Sequence, residues 1–336
     1  MRQLDARRVL LIVLLSGTRL AAQDPGSCVT CHLDTAFFDE DRIAIVQAFE
    51  SDVHSQVGIS CHDCHGGNSD QAVADDFVAA MDTEFGPNPY RGSPTRAEVP
   101  SFCGRCHSDV VYMSRFRPDI RVDQEQEYWT SYHGTRLKEG DTKVATCTDC
   151  HGVHGILAVK DSSSPVFPTN VAQTCAHCHG DSEFMAGYTL PNGDPLPVNQ
   201  SLLWQASVHG LALLEKQQLS APTCNDCHGN HGATPPGVDS ISFVCGHCHG
   251  REAKLFRASS KHDGFQTHNL FIADAGEEGC EACHVEDANV AAVTNLHSFT
   301  ECATCHGNHG VMRPTLAMFG RLPETPCAYC HEAASS

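Results

Sequence analysis

One five-residue pattern, Cys-x-x-Cys-His, recurs along the 336-residue chain and consumes all 20 of its cysteines. The copies are Cys28-Cys31-His32, Cys61-Cys64-His65, Cys103-Cys106-His107, Cys147-Cys150-His151 and Cys175-Cys178-His179, followed by Cys224-Cys227-His228, Cys245-Cys248-His249, Cys280-Cys283-His284, Cys302-Cys305-His306 and Cys327-Cys330-His331. Chance placement at this composition would give on the order of 0.08 such motifs, so the pattern is built in. A chain pinned this often by paired thiols and an imidazole is not an ordinary side-chain globule. Only 7% of its residues are aromatic, and it carries 27 Gly and 17 Pro, a thin supply of core for its length. Something besides side chains fills the interior.

The spacing has a chemical explanation. In c-type haem attachment the two thiols add to the two vinyl groups of one haem, and the adjacent His supplies the proximal iron ligand. Zinc ribbons, redox dithiols and disulfide frameworks also use paired cysteines, but none requires a His after every second one. The expected cofactor is therefore haem c, ten copies covalently attached.

The N-terminus reads as a secretion signal over 1–22: Arg2, Arg7 and Arg8 form a positive start, Val9 to Leu15 an apolar run and Leu20-Ala21-Ala22 a small-residue exit. The Arg7-Arg8 pair is read as ordinary export charge. Seven apolar residues fall well short of the ~20 that span a bilayer, and no later segment approaches that length. The mature chain is expected in the periplasm or outside the cell, without a transmembrane segment. With 41 acidic against 22 basic residues, the formal charge of −19 argues against nucleic acid or an anionic lipid surface as the main partner. The acidic residues are scattered, as on a solvated surface, and form no calcium loop.

The pattern resembles multihaem c-type cytochromes, in particular class III-like proteins with the doubled motif Cys-x-x-Cys-His-Gly-x-His-Gly, present here at Cys147 to Gly155, Cys224 to Gly232 and Cys302 to Gly310. It is also similar to the periplasmic decahaem subunits that feed outer-membrane electron conduits. The resemblance covers essentially the whole mature chain. It implies redox partner proteins, with an outer-membrane porin or self-assembly as further possibilities.

A repeat emerges once the remaining histidines are included. Its unit is an aromatic residue, a Ser, a His, a motif often followed by Gly-x-His-Gly, then a second motif. It runs through Trp129, Ser131 and His133 before motifs 4 and 5, and through Trp204, Ser207 and His209 before motifs 6 and 7. Weaker copies begin at Phe49, Ser51 and His54 and at Phe256, Ser260 and His262, the last being completed by motifs 9 and 10 if motif 8 is an insertion. Motif 1 then stands alone. Asp123 to Lys138 and Val198 to Gln218 have helical composition, so His133 and His209 are expected on short helices, with both Trp packed beside them. Gly86 to Pro100 and Tyr188 to Pro197 read as loops.

Nine histidines outside the motifs are candidate distal ligands: His54, His133, His154, His209, His231, His262, His268, His297 and His309. His154, His231 and His309 follow their own proximal His by three residues and are expected to ligate a neighbouring haem, tying successive haems together. The tenth position is open. It could fall to His62, His177 or His247 inside a motif, to Met81, Met113, Met185, Met312 or Met318 with a raised potential, to a neighbouring subunit, or to nothing.

The expected fold is mainly α and irregular, with short helices and loops wrapped around a chain of haems and little or no β-sheet. Its expected divisions after the signal are 23–127, 128–200, 201–255 and 256–336. Saturated bis-His iron suits electron transfer in a respiratory chain. One five-coordinate haem would instead suit a multihaem oxidoreductase of a small nitrogen or sulfur compound, although no Cys-x-x-Cys-Lys motif occurs. A subunit of a polymeric cytochrome filament is the third reading.

Overall fold

The computed structural model describes residues 26–190, 193–236, 241–267 and 301–313. The segment 1–22, the motifs at Cys280-Cys283-His284 and Cys327-Cys330-His331, and His268, His297 and Met318 lie outside the described residues. Among the described residues the architecture is short helices and irregular chain without strands, apart from one isolated antiparallel bridge between Thr189 and Pro195. The helix Glu40–Phe49 has 10 residues, and no described helix is long and apolar enough to cross a membrane.

Two compact units are formed, Met1–Val46 with Ser60–Gly92, and Gln47–Ile59 with Ser93–Ser336. In the first, the helices Gly26–His32 and Cys61–His65 carry motifs 1 and 2. Buried Ser27 donates to the Asn68 carbonyl at 2.7 Å, and Thr30 donates to Gln71 at 3.0 Å. Gly66 follows proximal His65 at φ +72°, and a Cβ there would lie 2.0 Å from the Pro89 oxygen, so this close turn requires glycine.

The second unit shows the repeat. Each helical stretch expected around His133 and His209 is two helices, Gln124–Tyr128 then Tyr132–Lys138, and Gln200–Ala206 then Val208–Leu214. The break comes from serine capping: Ser131 accepts from the Gly134 N–H at 2.9 Å and Ser207 from the Gly210 N–H at 3.1 Å. The corner is tight, because a Cβ on Gly134 would sit 2.0 Å from the Tyr128 oxygen and one on Gly210 2.2 Å from the Trp204 oxygen.

Burial corrects one register. Counted from the capping serine, the counterpart of Trp204 is Tyr128, not Trp129. Both are buried, and both donate to the carbonyl just before the threonine that starts the next motif, Tyr128 to Ala145 at 2.9 Å and Trp204 to Pro222 at 3.1 Å. Around them form two small apolar clusters, Tyr128 with Leu137 and Val144, and Trp204 with Leu213 and Ala172, the latter flanked by Ala221. Trp129 packs on the rim of the first cluster with Lys138 5.1 Å above its ring.

Successive repeats dock through one recurring backbone bond. Val53 donates to Ile156 at 2.8 Å, Tyr132 to Ala233 at 3.0 Å and Val208 to Val311 at 2.9 Å. Each donor opens the helix bearing His54, His133 or His209. Each acceptor directly follows a Gly-x-His-Gly segment.

Candidate haem sites

Two local designs present the motifs. Motifs 2, 4 and 6 form five-residue helices, Cys61–His65, Cys147–His151 and Cys224–His228. In each, the Asp between the cysteines accepts the backbone N–H of the residue before the first Cys: Asp63 from Ser60 at 2.7 Å, Asp149 from Thr146 at 2.6 Å and Asp226 from Thr223 at 2.8 Å. This carboxylate satisfies a donor that the helix leaves open and sits at the positive end of the helix dipole. Motifs 3 and 5 instead close the longer helices Val99–His107 and Val171–His179, and motif 7 follows from Ile241–Gly246. Among the described residues no disulfide joins the cysteines, which leaves both of each motif available for attachment.

The imidazoles meet in pairs, each joining a proximal position to one outside the motifs. Ring centroids lie 6.0 Å apart for His54 and His107, 6.0 Å for His133 and His179, 6.2 Å for His231 and His151, 6.3 Å for His209 and His249, and 5.9 Å for His309 and His228. Two metal–nitrogen bonds of about 2 Å each, plus the two ring radii, give roughly 6 Å for imidazoles on opposite sides of one ion. Among the described residues no three His, Cys, Asp or Glu side chains converge as a bare metal ion would need. Two axial ligands suffice where a porphyrin supplies the other four, so the donor set fits haem.

Burial pushes the pKa of His107, His133, His151, His179, His209, His228, His231 and His309 below the ordinary imidazole value. It thereby favours the neutral form that binds metals. The outward nitrogens find acceptors: His65 Nδ1 lies 2.9 Å from the Gly92 carbonyl, His228 Nδ1 3.3 Å from that of Thr234, and His54 Nδ1 2.8 Å from the Asp52 carboxylate. Such bonds select the tautomer that turns Nε2 toward a metal.

The pairing follows a rule that the spacing did not disclose. A helix-borne His meets the second motif of its own repeat, and the His of a Gly-x-His-Gly segment meets the first motif of the preceding one. His231, after motif 6, thus faces motif 4, and His309, after motif 9, faces motif 6, so these histidines reach past at least one motif rather than joining successive ones. His154 lies edge-on to Phe49 at 6.4 Å, and His262 bonds through Nδ1 to buried Glu301 at 2.9 Å. His32 stacks on Phe38 at 4.6 Å. Of the in-motif histidines, His62 bonds Ser60 at 2.6 Å and His247 lies 4.7 Å edge-on to Phe243.

Neighbouring motifs touch through sulfur. The side chains of Cys103 and Cys147, of Cys175 and Cys224, and of Cys245 and Cys302 lie against each other. Motif 3 thereby adjoins motif 4, motif 5 adjoins motif 6, and motif 7 adjoins motif 9. The last contact puts motif 9 where the earlier repeats have the next motif in line; motif 8, read as an insertion, lies outside the described residues. Four residues went unnoticed in the sequence: Asp52, Glu301 and the corner glycines Gly134 and Gly210 that follow His133 and His209. Asp52 was open to detection, because it stands where the other repeats have Ser131 and Ser207.

The chain is similar to the multiheme cytochrome MtrA of Shewanella baltica (strain OS185), 24% identical over 321 residues, covering 86% of this chain and 79% of that protein. It is also similar to the dissimilatory sulfite reductase MccA of Wolinella succinogenes, 22% identical over 227 residues, covering 65% of this chain but 28% of that protein. No protein-family model and no solved structure matches it. These similarities support a multihaem c-type cytochrome with haem c as its cofactor.

Proposed function

We propose that this protein carries electrons in the periplasm or at the cell exterior through ten haem c groups, most held between two histidines, and exchanges them with redox partner proteins of a respiratory chain. The observation that carries this reading is the set of five imidazole pairs at about 6 Å. Haem c supplies the one-electron Fe(III)/Fe(II) couple. The protein's residues do the rest: paired cysteines fix each macrocycle edge, the histidines occupy both axial positions and leave no place for a substrate, and the sulfur contacts keep successive attachment points adjacent.

In this assignment His107, His151, His179, His228 and His249 are proximal ligands opposed by His54, His231, His133, His309 and His209. His32, His65, His284, His306 and His331 are proximal at the other sites, and His154, His262, His268 and His297 remain candidate distal ligands. The acidic chain suits a partner with a basic docking face, and an outer-membrane porin or a second copy would extend the line.

Mass spectrometry of the holoprotein should show ten haems, and the resting ferric protein should give an EPR spectrum dominated by low-spin signals. A substantial high-spin fraction that binds cyanide or nitrite would overturn the carrier reading in favour of an oxidoreductase of a small nitrogen or sulfur compound. Loss of one low-spin signal on dilution would show that a neighbouring subunit supplies a ligand, as in a filament.

A further inference from the structure

The helix-borne histidines do not share one environment. At the capping position two residues before His133 and His209, Ser131 and Ser207 use their hydroxyls on the Gly134 and Gly210 amides. Before His54 the same position is Asp52, 1% exposed. Its Oδ1 accepts both the backbone N–H and the ring Nδ1 of His54 at 2.8 Å, and its Oδ2 accepts the Ile156 N–H at 2.8 Å. Among the described residues no hydrogen bond joins the ring of His133 or His209 to a carboxylate.

We propose that Asp52 is a positioning residue that lowers the reduction potential of the haem held by His54 and His107, setting haem 3 below haems 5 and 7. The inference rests on the axial pairing proposed above. A carboxylate accepting the Nδ1 proton makes the imidazole a stronger donor through Nε2, and a buried negative charge favours Fe(III) over Fe(II). A serine hydroxyl spent on a backbone amide does neither. Asp52 is also immobile: its bonds to Ile156 and to the start of the His54 helix hold the carboxylate against the ring. His262 and buried Glu301, 2.9 Å apart, repeat the arrangement with an acid from another segment.

The test uses the full holoprotein and potentiometric titration of the haem absorbance. Asp52→Ser installs the residue of the sister repeats and keeps a helix cap. One component should rise in potential, by about tenfold in its Fe(II)/Fe(III) ratio at fixed poise, equivalent to about 59 mV, with every haem still low-spin. Ser207→Asp should lower one component. Unmoved potentials in both variants would overturn the proposal. So would conversion of a haem to high spin in Asp52→Ser, because Asp52 would then only hold the ring in place. His54→Met separates the two levels of argument: a new His–Met charge-transfer band confirms that His54 is an axial ligand, so silent potentials then defeat the tuning alone. Absence of that band defeats the pairing and the inference with it.

Discussion

The proposed haem sites 4 and 6 differ from the proposed sites 3, 5 and 7 in where the second imidazole comes from, and the difference shows in the ring planes. At sites 4 and 6 the ring arrives on a Gly-x-His-Gly loop from the following repeat and lies nearly parallel to the proximal ring, at 13° and 10°. At sites 3, 5 and 7 it arrives on a capped helix, and the planes cross at 81°, 46° and 33°. Two copies of one loop give almost one angle. The helix-borne rings vary, because their partners are differently placed: His107 and His179 close nine-residue helices, whereas His249 caps the start of the helix Gly250–Arg257. Only the loop-borne design draws on the next repeat, so at the proposed sites 4 and 6 ligation would depend on repeat docking.

The largest test of that contrast removes one ligand of each kind. His231→Ala and His54→Ala should each convert a single haem from low to high spin, and the low-spin signals they remove should differ. Parallel imidazoles split the iron dπ orbitals and give a rhombic spectrum, the signal His231→Ala should delete. Crossed imidazoles leave those orbitals nearly degenerate and give a highly anisotropic spectrum, the signal His54→Ala should delete. Loss of the same signal in both variants would break the distinction between the designs.

Glycines separate the designs at the next scale. Gly134 is required for space, since its added Cβ would meet the Tyr128 oxygen at 2.0 Å. Gly152 after His151 has open space but sits at φ +86°, ψ 175°, a region closed to side chains. Gly134→Ala should cost about 1–3 kcal/mol through overpacking, and Gly152→Ala about 1–3 kcal/mol through backbone strain. Denaturant titration reads both losses. Only Gly134→Ala should also disturb a site with a helix-borne ligand, the haem proposed to lie between His133 and His179.

How far the sequence discloses these features depends on the interaction involved. The Cys-x-x-Cys-His runs and the recurrent His133, His209, His231 and His309 are periodic and visible, and so is the helical and irregular architecture, without strands among the described residues. The pairings across repeats, His231 with His151 and His309 with His228, go with backbone bonds from Tyr132 and Val208, and a backbone N–H leaves no mark on residue type. The helix breaks were obscured for another reason: Ser131 and Ser207 sit inside stretches of good helical composition, where a capping serine and a tolerated interior serine look alike. Trp129 drew attention by being tryptophan, although its spacing from Ser131 differs by one residue from that of Trp204 to Ser207. Spacing from the cap identifies Tyr128, and burial follows the spacing.

That register supplies the finest test, at the joint between the two designs. Tyr128 and Trp204 make the same contact, from the helix before a helix-borne His to the carbonyl before a doubled motif, but only Tyr128 can ionise. Burial pushes its pKa up from 10.0 to about 12. A raised folded value means the unfolded chain loses this proton first as pH rises. The contribution is therefore complete below pH 10, falls between 10 and about 12, and is gone above that. The ionised phenolate has no proton left to donate to Ala145. Tyr128→Trp, copying the sister repeat, should flatten the component of alkaline destabilisation in that window, read as thermal stability against pH, while Trp204→Tyr should add one. If neither variant changes the slope, the two aromatics are not equivalent anchors, and the shared geometry of the repeats would then have to rest on the three backbone bonds alone.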